Sequence, residues 1–280
     1  MMIVLIVMKK IFTKKKFLII VILCVPLILY SFIMPTNEAN WNKDQAVLPF
    51  AEINNKLVTI HNIRNATYTS ETDYEVSYYD KTFDLTHIKS VDFVVEPFSN
   101  FGGAAHTFLT FGFEDESYVA ISIEIRKKKG QSFSAFKSLF KQYEIMYVVA
   151  DEKDVVKLRT NYRKDTVYMY PTRIDQAHAE KLFLSMIARV NELYAKPEFY
   201  NLLMNTCTTN IVRHVNEISE TKIPWNYRVL MPGYSDKLGY DLGLFDTTLP
   251  YEKIRDAYQI NDKAMKYGDD KNFSLRIRGR

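Results

Sequence analysis

Hydrophobic and polar positions change their period several times along the chain. Residues 56–98 alternate, as in LVTIHNIRNATY and YEVSYYDKTFDL, with turn residues between the runs, which predicts successive strands. SVDFVVEPF closes this region and SNFGG (99–103) is a turn. AHTFLTFGF (105–113) and SYVAISIEIR (117–126) flank Glu114–Glu116 and predict a β-hairpin. In that hairpin Leu109, Phe111 and Phe113 on one strand and Val119, Ile121, Ile123 and Ile125 on the other are all odd-numbered. If both sets face one core, odd pairs with odd, and a three-residue turn sets His106 opposite Glu124 on the other face. Residues 132–143 carry Phe133, Phe136, Leu139, Phe140 and Tyr143 at helical spacing, and EIMYVVA reads as another strand. Residues 175–195 predict a long helix with Phe183, Met186, Ile187, Val190 and Tyr194 on one stripe, Asp175 as its cap and Pro197 as its stop. A second helix is expected at about 208–220, and the tail from Pro224 is expected to be mostly irregular, with a short helix near 251–259. Strands followed by helices, rather than alternating with them, predict one α+β domain with an antiparallel sheet and packed helices.

The N-terminus breaks this pattern. Phe17–Met34 is a run of 18 residues without a charge, long enough at about 27 Å of helix to cross a bilayer core. Lys9, Lys10, Lys14, Lys15 and Lys16 precede it with no acid. The expected organisation is a basic cytoplasmic segment (1–16), an uncleaved transmembrane helix (17–34), a linker (35–55) with Trp41 as an interfacial aromatic, and an extracytoplasmic domain (56–280). Met8 is an alternative start.

Composition adds exclusions. With 47% apolar and 25% charged residues among 280, the chain is neither disordered nor collagen-like. The net charge of +4 is a property of the N-terminus, because the residues after 36 hold 32 basic against 33 acidic side chains. A domain so balanced has no basic footprint for phosphates, which sets nucleic acid aside. No C-x-x-C or H-E-x-x-H spacing occurs, so neither a metal nor another cofactor is expected.

There are two cysteines, and Cys24 lies in the apolar run, so Cys207 has no partner for an intrachain disulfide. A lone thiol kept in an exported domain is a candidate nucleophile or a buried apolar residue. Its context, NLLMNTCTTNIVRHVNEI, favours the first. Asn205 or Thr206 can cap a helix starting at Cys207, where the helix dipole lowers a thiol's pKa and free N–H groups supply an oxyanion hole. A base is then needed. His214 lies seven residues down the same helix, about 10.5 Å along its axis and out of reach; His61, His87 and His178 have ordinary surface contexts. His106, after a Gly-Gly turn and opposite Glu124, is the candidate base, with Glu124 orienting it or else forming a surface pair with Arg126. Tyr143, Arg126, Arg159, Asn205 and Thr208 are candidates for substrate contact or structural support; spacing alone assigns none of them.

GGAAHTFLTFGF, AISIEIR, FKQYE, LRTNYR and FYNLLMNTCTTNI together resemble the Lnb-type periplasmic domain, named for a bacterial lipoprotein N-acyltransferase, over about residues 40–280. Such domains are similar to circularly permuted papain-like (NlpC-type) thiol enzymes, in which the histidine strand precedes the cysteine helix. The resemblance implies that Cys207 is the acyl-accepting nucleophile and His106 its base. It further implies a phospholipid acyl donor, a lipoprotein α-amine as acceptor, and a single-pass inner-membrane protein with its domain in the periplasm. Two alternatives use the same residues: a cysteine hydrolase acting on peptidoglycan or peptide, and an envelope scaffold with an inert Cys207. An apolar cleft favours the transferase and an open polar groove the hydrolase.

Overall fold

The protein is described from a computed structural model, which covers residues 25, 29–98 and 101–279. Asn37–Arg280 forms one compact unit, separate from the residues before it, of which 29–31 are helical. Among the described residues no helix is long and apolar enough to cross a membrane. The basic segment 1–16 and the larger part of the expected span 17–34 lie outside the described residues.

An eight-stranded sheet organises the domain: β1 (Phe50–Asn54), β2 (Leu57–Tyr68), β3 (Tyr74–Asp84), β4 (Ile88–Pro97), β5 (Ala105–Phe113), β6 (Tyr118–Arg126), β7 (Glu144–Asp151) and β8 (Tyr168–Pro171). Their order is β1-β2-β7-β6-β5-β4-β8, with β3 paired to β2 off this path. All named ladders are antiparallel except the single β2–β7 bridge Arg64–Ala150. The β5–β6 hairpin has the expected register: Leu109 faces Ile121, Phe111 faces Val119, and Phe108 faces Ser122.

Both faces of the sheet are covered. The odd-numbered face packs against two helices, α2 (Gln176–Ala195) and α3 (Cys207–Ile218), in the largest core cluster, where Phe183 lies edge-on to Phe111 and Phe113. Asp175 caps α2 through the His178 N–H at 2.9 Å, as its sequence predicts. The even-numbered face, for which a surface pair between Glu124 and Arg126 is one of two readings of the sequence, is covered as well. Phe108, Ala120, Met146 and Val148 pack there against Val155 and Val156 of α1 (Glu152–Lys157) and against Ile260, Ala264, Phe273 and Ile277.

Those last residues correct the reading of the tail as mostly irregular: the short helix expected near 251–259 is present at Tyr251–Tyr258, and four more accompany it among the described residues. The tail folds into α4 (Tyr227–Leu230), α5 (Ser235–Asp241), α6 (Tyr251–Tyr258), α7 (Asn261–Lys266) and α8 (Phe273–Ile277). Helices this short have no stability of their own and carry too few turns for a visible period; tertiary packing forms them. The opposite error occurs at 132–143, where helical spacing exists but only Lys137–Leu139 form a 3₁₀ turn, because Phe133, Phe136 and Phe140 have no core to face and remain exposed. The linker expected at 35–55 is also structured. Trp41 is buried beneath the Arg126 guanidinium, 4.2 Å from its ring, and β1 begins at Phe50.

Arg278 ties the tail to the sheet. Its buried guanidinium donates to Asp92 of β4 at 2.7 Å, to Glu152 of α1 at 2.5 Å and to Thr110 of β5 at 2.8 Å. Replacing Arg278→Ala removes the cation shared by two buried carboxylates and should destabilise the domain by about 3–5 kcal/mol in a denaturant titration; a loss below about 1 kcal/mol would show that the tail is held by apolar packing alone.

Candidate active site

Cys207 is the first residue of α3. Thr206 caps the helix: its hydroxyl accepts from the Thr209 N–H at 3.2 Å while the Thr209 hydroxyl accepts from the Thr206 N–H at 2.7 Å. Asn205 shapes the approach, bonding the Asn210 side chain at 2.8 Å and the Phe199 carbonyl at 3.0 Å, and so supports the loop. Thr208 is buried and pairs its hydroxyl with that of Thr107 on β5 at 2.9 Å, pinning the helix start to the histidine strand. The Cys207 and Thr208 N–H groups belong to the first turn and have no acceptor within the helix.

His106 stands on β5 beside that helix start. On one side β4 pairs Glu96 with it; on the other, the β5–β6 register continued from Phe108–Ser122 sets Glu124 opposite it. Imidazole Nε2 lies 2.8 Å from the Ser122 hydroxyl, which donates onward to Glu124 Oε1 at 2.8 Å; Nε2 and Oε1 are 3.5 Å apart. A carboxylate accepting from Ser122 turns the hydroxyl's acceptor side toward His106, so Nε2 carries a proton. Arg159 completes the network, donating to Glu124 at 2.8 Å and to the buried Glu96 at 2.5 Å, with its guanidinium 5.0 Å from the Phe108 ring centroid. It lies in a π-helical turn, Leu158–Arg163, that extends α1. Such turns widen the helix by one residue and redirect side chains, often at functional sites.

The charges settle the protonation states. Burial opposes a thiolate at Cys207, but the hydrogen bond and charge of His106, with hydrogen bonds from Thr107, bring the thiol down to about 7. Burial likewise opposes an imidazolium, yet Glu124 and the hydrogen bond to Cys207 outweigh it and raise His106 above its ordinary value. Burial also acts against the Glu124 carboxylate, and the charges of His106 and Arg159 overcome it, holding Glu124 well below the usual carboxylate range. The result is a thiol of lowered pKa beside an imidazole that a carboxylate holds in place.

Of the sequence candidates, Cys207, His106, Glu124, Thr208 and Arg159 converge here. Arg126 does not pair with Glu124: it donates to the carbonyls of Gln45 and Ala46 and to Asn37, anchoring the chain before β1. Tyr143 is a core residue whose hydroxyl donates to the Ser132 carbonyl at 2.8 Å. His214 is structural, bonded to Tyr147 and Ser185 at 2.7 Å each. Ser122, Glu96 and Thr107 were missed. Ser122 shares the even face with Glu124 and could have been found from the hairpin register; nothing local marks Glu96, whose role depends on Arg159 from 63 residues away. Among the described residues no group of three or more His, Cys, Asp or Glu is arranged to hold a metal ion.

An apolar cavity of about 320 Å³ opens along α3, lined by Thr208, Ile211, Val212, Val215 and Ile218 together with Leu109, Leu182 and Phe245. Thr208, the sequence neighbour of Cys207, is part of this lining, which follows the helix for about 15 Å; Cys207 and His106 are not part of it.

The family model of the Lnb N-terminal periplasmic domain matches residues 74–233, which include every residue of this network. No curated protein and no solved structure matches.

Alkylation of Cys207 by iodoacetamide should rise with pH through about 7 in the wild type, falling about tenfold per pH unit below that value. His106→Ala removes the largest stabilising partner and should move the midpoint above about 8.5. An unchanged midpoint would mean that His106 does not act on the thiol.

Proposed function

Since the chain belongs to the Lnb N-terminal periplasmic domain family, we propose that it is a membrane-anchored thiol acyltransferase of the bacterial inner membrane. The observation that carries this reading is the apolar cavity beginning at Thr208: a nucleophile whose neighbouring space is lined by Ile, Val and Leu suits an acyl chain better than a sugar or a peptide. The volume accommodates about ten methylene-sized groups at ~30 Å³ each, and each methylene that enters gains about 0.8 kcal/mol. The order of a histidine strand before a cysteine helix is that of permuted papain-like (NlpC-type) enzymes, and the reading includes that kinship. It also retains the topology expected from the N-terminal run, with the basic N-terminus cytoplasmic and the domain periplasmic.

In the proposed mechanism the Cys207 thiolate attacks the carbonyl carbon of a phospholipid ester. Charge builds on the carbonyl oxygen, where the Cys207 and Thr208 N–H groups and the α3 dipole act. His106 then gives its proton to the departing glycerol oxygen, leaving a thioester on Cys207 and a lysophospholipid. With Nε2 held by Ser122 and Glu124, Nδ1 is the nitrogen that serves the sulfur and the leaving group. In the second half, neutral His106 takes a proton from the α-amine of a lipoprotein's lipidated cysteine. The amine attacks the thioester, the amide forms, and Cys207 leaves as thiolate. Glu124, Ser122 and Arg159 orient the imidazole and stabilise its cation in both halves.

Intact mass spectrometry of the full chain incubated with phospholipid vesicles tests this. The wild type should gain a fatty-acyl mass that hydroxylamine removes, while Cys207→Ser and His106→Ala gain none. Glu124→Gln should slow adduct formation by about 10²–10⁴-fold. An alkylation-competent Cys207 that never acquires the adduct overturns acyl transfer and turns the site into that of a hydrolase; an unreactive thiol leaves a scaffold.

A further inference from the structure

The helical pattern that fails at 132–143 leaves large side chains in solvent: Phe133 is 47% exposed, Phe136 72% and Phe140 43%. They do not stand alone. Phe98, directly after β4, packs edge-on to Phe133 at 6.5 Å, and Phe136 packs on Phe140 at 5.2 Å. The segment preceding Cys207 adds Leu203 and Met204, 51% and 64% exposed. Backbone hydrogen bonds stitch these segments together, from Leu202 N–H to the Ser138 carbonyl at 3.0 Å and from Tyr200 N–H to the Tyr143 carbonyl at 2.9 Å. Six large apolar side chains therefore lie on segments that run into the site, one ending at Cys207 and another two residues after Glu96, the strand partner of His106. A patch of this kind is uncommon on a soluble monomer and marks an interaction surface.

Charge identifies what it meets. Residues 127–143 hold five lysines and no acid, while 98–105 and 199–206 hold no charge. Lys141 lies over the Phe199 ring at 5.7 Å, placing its ammonium beside the apolar surface. Aromatic, Leu and Met side chains rimmed by Lys match the depth profile of a bilayer interface, where rings sit at headgroup level and ammonium groups meet lipid phosphates. A water-soluble protein partner would not require this one-sided charge.

We propose that these loops form a bilayer-docking surface that seats the cleft on anionic phospholipid, so that the donor ester reaches Cys207 from the membrane side. The proposal rests on the acyl-transfer reading for its purpose and on the exposed, basic, aromatic loops for its substance. The N-terminal segment would tether the domain to the membrane; these loops would set which face it turns to the lipid.

The test uses the full chain reconstituted in vesicles of phosphatidylglycerol or phosphatidylcholine carrying brominated acyl chains, which quench nearby tryptophan. Trp225→Phe leaves the buried Trp41 as background. In that background Phe136→Trp reports on the loops, and Glu114→Trp on the β5–β6 turn at the opposite end of the strand from His106; both positions are exposed, so neither probe disturbs the core. Bromolipid should lower the emission of the Phe136→Trp probe by at least about twofold, more in phosphatidylglycerol than in phosphatidylcholine, and leave the Glu114→Trp probe unchanged. Equal quenching of both probes, or of neither, overturns the proposal. So does shielding of the Phe136→Trp probe from bromolipid and aqueous acrylamide alike, which would mean that the loops cover a second copy or another protein. Quenching without an acyl adduct on Cys207 refutes the transferase and keeps the surface; an adduct without quenching does the reverse.

Discussion

The arrangement depends on one buried guanidinium. Arg159 joins Glu96 on β4 to Glu124 on β6, the strands flanking the one that carries His106. Two carboxylates beside a histidine would repel each other. The fixed positive charge between them holds Glu124 ionised, and that carboxylate, against the opposing charge of Arg159 itself, favours an imidazolium at His106. That imidazolium is what lowers the Cys207 thiol. Removing the arginine would thus reach the sulfur through Glu124 and His106.

That chain of charges gains from burial, which the three-layer fold supplies in large part: the His106 and Glu124 side chains keep 15% and 25% exposure. Helices α2 and α3 cover the odd-numbered face, while α1 and the C-terminal helices cover the even-numbered face from which His106, Ser122 and Glu124 project. On a solvated even face the same Glu and His would be screened and of little consequence. The tail is therefore part of the surroundings of this network although it contributes no group to it, and Arg278 fastens it with a second buried ion cluster.

On the opposite side α3 forms part of the wall of the apolar cavity, so the helix that begins at Cys207 also borders that space. Short-range capping fixes its start to within one residue, because Thr206 and Thr209 satisfy each other's backbone groups.

Features set by neighbours in sequence were legible without a structure. The hairpin register followed from parity and turn length, because a strand's side chains alternate with period two and a slip would invert its faces. Helix α2 followed from its stripe and its Asp175 cap, and the start of the Cys207 helix from the Thr-rich segment around it. Parity also named Glu124 as the residue opposite His106. What only the tertiary structure decided depends on groups far apart in the chain: that Ser122 stands between His106 and Glu124, that Arg159 and Glu96 complete the network, and that Arg126 instead holds the chain before β1. The even face is buried because a tail of short helices folds onto it, and the 132–143 pattern stays exposed because no element packs there. Local pattern states which face of a segment is apolar; only the assembled fold supplies, or withholds, the surface that covers it.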